Sequence, residues 1–126
     1  MTSEETEAEL KKWNDIFMSK VSIPKDVKSQ VEEIVTEFNK KWFRGSKHCY
    51  LVRFRGRFAY LDRFEYEELR PICRVEFRGK IDNWDFAIYK YSSGRYDPEE
   101  FLFPGSDCAD GTIEGAMKAG LEAYPP

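Results

Sequence analysis

The chain has 126 residues and a formal net charge of −3, with 41% apolar, 34% charged and 16% aromatic residues. That is enough for one apolar core, and it argues against wholesale disorder and against indiscriminate polyanion binding. The charge is unevenly spread: residues 1–47 carry nine bases and nine acids, residues 48–96 ten and seven, and residues 97–126 one and seven, for nets of 0, +3 and −6. A basic middle and an acidic end point to a charged partner, or to two regions that face each other.

In chain order, Leu10, Trp13, Phe17 and Val21 fall at helical spacing, which predicts a helix from Glu4 to about Val21 with Thr2 and Glu5 as its capping box. Pro24 suits the first turn of a second helix. Its apolar stripe is Val27, Val31, Ile34, Phe38 and Trp42, and its stop is Arg44–Gly45.

From His48 the period changes to two. Tyr50, Val52, Phe54, Phe58 and Tyr60 occupy even positions, and Arg53, Arg55, Arg57 and Arg63 odd ones. Sending all the even residues of both strands inward requires an odd loop, so the pattern predicts a three- or five-residue turn around Gly56. "VRFRGR" then returns as "VEFRGK" at 75–80. There Cys73, Val75 and Phe77 alternate with Arg74, Glu76 and Arg78, and an even loop such as "KIDN" leads to Trp84, Phe86 and Ile88. That loop aligns Phe77 with Phe86 and Val75 with Ile88, and sets Arg78 opposite Asp85.

Residues 92–111 read as irregular, with one helical turn at Pro98–Phe101. "TIEGAMKAGLEAY" reads as a final helix with the stripe Ile113, Met117, Leu121 and Tyr124, capped by Asp110 or Thr112. Gly115, Ala116, Ala119 and Gly120 leave it a thin surface for close approach. The expected fold is a single α+β domain over 1–126, its helical part at 1–47 and its sheet plus C-terminal helix at 48–126. Two N-terminal helices, a four-stranded antiparallel meander of two tandem hairpins and a C-terminal helix place all helices on one sheet face.

Little catalytic spacing is present. His48 neighbours Cys49, but adjacent strand residues point to opposite faces, so a Cys/His pair would need Cys73 or Cys108 to approach in space. "DCADGTIE" at 107–114 reads as a turn and helix cap, lacking the register of a calcium loop. The acid pairs in "YEEL" at 66–69 and "PEEF" at 98–101 read as solvated turns. The sequence calls for no catalytic residue, cofactor or metal, and an enzyme is disfavoured. Cys49, Cys73 and Cys108 form no C-x-x-C pair and suit a reducing cytoplasm, and the acidic opening lacks the apolar run of a signal peptide, so a cytoplasmic protein without a membrane partner is expected.

The candidate binding residues are therefore Arg53, Arg74, Arg78, Tyr89 and Tyr91, on the sheet face opposite the helices, with Leu51 and Leu61 nearby. A protein partner or homo-oligomer fits them best, since arginine and tyrosine are common interface anchors. Single-stranded nucleic acid is the alternative, with cations for phosphate and rings for stacking. "RGRFAYLDRF" resembles the RNA-recognition signature, departing from it by the inserted Arg57 and by the order of elements. The set "YLVRFRGRFAYLDR", "WDFAIYKYS", "YDPEEFLFPG" and "DGTIEGAMKAGLEAYP" resembles a family of small uncharacterised prokaryotic proteins over roughly residues 50–125. That resemblance implies one folding unit and no activity, cofactor or partner.

Overall fold

A computed structural model describes residues 22–126, and the helix expected from Glu4 to about Val21 lies outside them. The fold is α+β: helix α1 (Lys25–Trp42), strands β1 (Cys49–Arg55), β2 (Phe58–Glu65), β3 (Glu68–Lys80), β4 (Asn83–Lys90) and β5 (Arg95–Asp97), and helix α2 (Ile113–Ala123). The strands form one antiparallel sheet in the order β1-β2-β3-β4-β5. Among the described residues, no helix is long and apolar enough to cross a membrane.

The fifth strand corrects the four-stranded expectation. Gly94, at φ 67°, closes a turn in which the amides of Ser93 and Gly94 both donate to the Lys90 carbonyl. The chain therefore reverses and pairs Tyr89 with Tyr96. A turn-rich stretch held a hairpin because Ser-Ser-Gly supplies the left-handed residue that such a reversal needs.

The first hairpin also differs from expectation. Its turn is the two residues Gly56–Arg57, with Gly56 at φ 59°, and it pairs Arg55 with Phe58 and Phe54 with Ala59. Phe54 and Phe58 are thus on opposite faces. On β2 the odd residues Ala59, Leu61 and Arg63 turn toward the helices and are buried, while Phe58 and Tyr60 share the other face with Arg53 and Arg55. The physical reason lies in "FAYLDR": both parities carry apolar residues, so amphipathy does not fix the register, and the short glycine turn does. Leu61 belongs to the core, and so does Arg63.

In the second hairpin the faces are as expected and the alignment is not. Phe77 pairs with Trp84 and Val75 with Phe86, because the turn is Ile81–Asp82 and the register shifts by two at Arg78–Gly79. A shift of two preserves parity, so Val75, Phe77, Trp84, Phe86 and Ile88 still face one way. A single extra residue at Ile72 bulges β3 against β2, just after Pro71, which has no N–H to give the ladder. No helical turn forms at Pro98–Phe101; the short 3-10 turn is at Ser106–Cys108.

Both helices pack on the inward face. Val31, Val35 and Phe38 of α1 join Tyr50, Leu61, Ile72, Val75 and Met117 in one core cluster. Tyr50 Oη donates to the Met117 carbonyl at 2.8 Å, and Asn39 bonds both the N–H and the C=O of Tyr50 at 2.8 and 2.9 Å. Thr112 caps α2 by accepting from the Gly115 amide at 2.9 Å. Trp42, the last member of the expected stripe, is half exposed and stacks on Phe38.

Candidate functional site: the open sheet face

Among the described residues, no helix covers the other face of the sheet. Its residues follow from register. Leu51, Arg53 and Arg55 come from β1, Phe58, Tyr60, Asp62 and Phe64 from β2, Leu69, Arg74 and Glu76 from β3, Asp85, Ala87 and Tyr89 from β4, and Tyr96 from β5. Three zones run across this face.

At the hairpin-turn side is an ion-pair chain. Arg57 meets Glu76 at 2.7 Å, and Arg78 meets Glu76 and Asp85, each at 3.4 Å. The pairing expected between Arg78 and Asp85 is therefore present as a salt bridge, although Asp85 has Glu76 as its Cα partner.

The middle zone is a run of edge-to-face rings with guanidinium groups over them. Tyr60, Tyr96, Tyr89 and Tyr91 follow one another at centroid separations of 5.0–5.3 Å. Arg53 sits 4.3 Å over Tyr60, and its Nε donates to Asp62 at 2.8 Å. Burial opposes the charge on Arg53, but the Asp62 hydrogen bond and carboxylate outweigh it and raise its pKa. Arg74 lies 4.7 Å from the Phe58 ring and 5.4 Å from that of Tyr96, and has no carboxylate partner among the described residues. Desolvation, reinforced by the Asp62 charge, pushes the Tyr96 phenol up to about 12. The rings cover Ala87, which is buried even though it faces away from the helices.

At the far end the face turns apolar. Phe64 pairs with Leu69 and lies diagonal to Leu51, and these three are 37%, 53% and 47% exposed. Tyr91 borders this zone just beyond β4, half exposed, with its hydroxyl donating to the Pro71 carbonyl at 2.7 Å.

The five residues singled out from the sequence thus gather on this face or its rim. Arg53, Arg74 and Tyr89 stand in the stack, Arg78 in the ion chain and Tyr91 at the edge. Sequence reasoning missed Tyr60 and Phe58, which it assigned to the core, and Tyr96, whose strand it did not expect. It also missed Phe64 and Leu69. For Tyr96 a signal existed: "YKYSSGRY" places aromatics on both sides of a glycine turn.

The catalytic candidates do not assemble into chemistry. Cys73 is buried under α2, its thiol donating to the Ala116 carbonyl at 3.8 Å, and burial holds it protonated. His48 packs against Tyr66, and with Cys49 lines a shallow hollow of about 600 Å³ at the end of α1. Asp107, Cys108 and Glu122 offer ligand atoms within 4.8 Å of one another. Desolvation and the two neighbouring carboxylates raise the Cys108 pKa, which opposes the thiolate a metal would need.

Comparison with protein-family models, with curated proteins and with solved structures finds no match to this chain.

Proposed function

We propose that the chain is a small non-catalytic interaction domain that binds a protein partner, or a second copy of itself, through its open sheet face. The observation that carries this reading is the row Leu51, Phe64 and Leu69, each more than a third exposed, beside Arg53 and Arg74 stacked on tyrosines. Contiguous apolar surface costs free energy in water, and ring-backed arginines next to it are typical anchors of protein interfaces. Nucleic acid is the weaker reading. Arg53, Arg57 and Arg78 already pair with Asp62, Glu76 and Asp85 on the same face, which leaves Arg55 and Arg74 for phosphates, fewer cations than useful affinity requires. Three unpaired cysteines, one of them buried, suit a reducing cytoplasm as the setting. The resemblance to small uncharacterised prokaryotic proteins, over roughly residues 50–125, supports treating that stretch as one folding unit.

A photo-crosslinking residue placed at Leu69, compared with one at Glu32 on the exposed side of α1, tests the reading in the cells that make the protein. A discrete adduct from Leu69 with none from Glu32 is expected. Equal patterns from the two positions, or adducts from Glu32 alone, contradict it.

A further inference from the structure

Resting on that reading, we infer that the occupant of the open face is a second copy of this chain, and that it contributes the loop Glu99–Leu102. The loop carries apolar side chains its own fold leaves mostly in water: Phe101, which borders a hollow with Trp84, Phe86 and Phe103, is 68% exposed and Leu102 96%. Both flanks are tied down. The Glu99 amide donates to Asp97 at 3.0 Å, the Leu102 amide donates to Glu100 at 2.9 Å, Lys90 holds Glu100 at 2.9 Å, and Phe103 stacks on Phe86. A held loop that displays a phenylalanine and a leucine is an apolar plug, and ordering it in advance lowers the entropy cost of binding.

The face complements it in charge and in polarity. Glu99 has no ion pair among the described residues, and neither does Arg74. With rings close to its guanidinium, Arg74 is held so that its N–H edge can donate to a carboxylate in the bidentate manner. Beside it, Leu51, Phe64 and Leu69 form the apolar surface that Phe101 and Leu102 lack in their own molecule. The same complementarity appears over whole segments, +3 for residues 48–96 and −6 for residues 97–126. A reciprocal exchange, in which each copy gives its loop and receives the other's, closes as a two-fold dimer. A phosphate backbone could also meet Arg74, but it would leave Leu102 without a partner.

Sedimentation velocity of the full chain across a wide concentration series tests this. The wild type is expected to shift from monomer to dimer with concentration. Leu102→Asp and Arg74→Glu, each checked for an unchanged fold by circular dichroism, are each expected to weaken association about tenfold or more. Leu51→Asp, at an exposed position, asks the same of the face should Arg74→Glu disturb the stack. A wild type that stays monomeric throughout overturns the inference. So does a Leu102→Asp variant that associates as well as the wild type. These failures separate from failure of the face itself. A monomer whose Leu69 probe still yields adducts in cells binds a different protein there, and a monomer that binds a mixed oligonucleotide in an Arg74-dependent way binds nucleic acid.

Discussion

Arg63 and Glu65 are the residues that depart furthest from what their chemistry suggests. The Arg63 side chain is fully buried, pairs with Glu65 at 3.0 Å, and donates to the carbonyl of Tyr124 at the end of α2. A cation suits a helix C-terminus, and Glu65 cancels its charge, so a charged side chain is tolerated where alternation predicted a solvent-facing one. Arg63→Ala leaves buried Glu65 with only the more distant Arg70, at 3.9 Å, and is expected to cost about 3 kcal/mol in urea unfolding, whereas Arg63→Met with Glu65→Met costs much less. The turn after β2 is a second departure, with Tyr66 at φ 52° and Glu67 at φ 63° in the left-handed region. Glycine at Glu67 relieves about 1 kcal/mol of that strain, so Glu67→Gly is expected to raise Tm. Tyr96 gives a pH prediction. Its folded pKa of about 12 lies above the ordinary tyrosine value of 10.0, so its contribution is complete below pH 10.0 and is lost as pH rises through about 12. Alkaline titration of phenol absorbance should therefore leave a late-ionising fraction among the seven tyrosines. Burial also raises Tyr50, Tyr91 and Tyr124, so the assignment is checked by that fraction shrinking by one tyrosine in Tyr96→Phe rather than vanishing.

Among the elements, α1 and α2 were readable because their apolar residues recur at one unambiguous period. Four of the five strands were readable in existence but not in register; in the first hairpin β2 carries apolar side chains on both faces and only the turn length decides between them. The thin surface of α2 does what its composition suggested. A Cβ added at Gly120 would come within 2.5 Å of both Ile72 Cγ2 and Tyr50 Oη, so these side chains fill the space that the glycine leaves. Gly120→Ala is expected to destabilise by about 1–3 kcal/mol through overpacking, read by denaturant unfolding. Edge strand β1 is closed at Tyr50 by the Asn39 amide, which supplies the acceptor and donor a neighbouring strand would give. Asn39→Leu leaves both groups without that partner and should cost about 1–3 kcal/mol.

For the whole molecule, the doubled arginine ribbon has a physical account in two parts. It spells two hairpins of one meander, with Gly56 in the first turn and Gly79 in the register shift before the second, and its arginines face away from the helices, Arg53 over Tyr60 and Arg57 and Arg78 in the ion-pair chain. The first part could be read from the sequence. The second could not, since the rings that the arginines stack on belong to the parity assigned to the core and to a strand that was not expected. Leu51, Arg53 and Arg74 kept their places because β1 and β3 had the right faces even where their alignments were off. What remains to be tested is contact through this face and the Glu99–Leu102 loop. Amide chemical shifts of the labelled full chain, followed as concentration rises, test it most directly. Movement concentrated at Leu51, Tyr60, Phe64, Leu69, Arg74 and residues 99–102 is the predicted result; movement confined to the exposed side of α1, or none across the series, would contradict it.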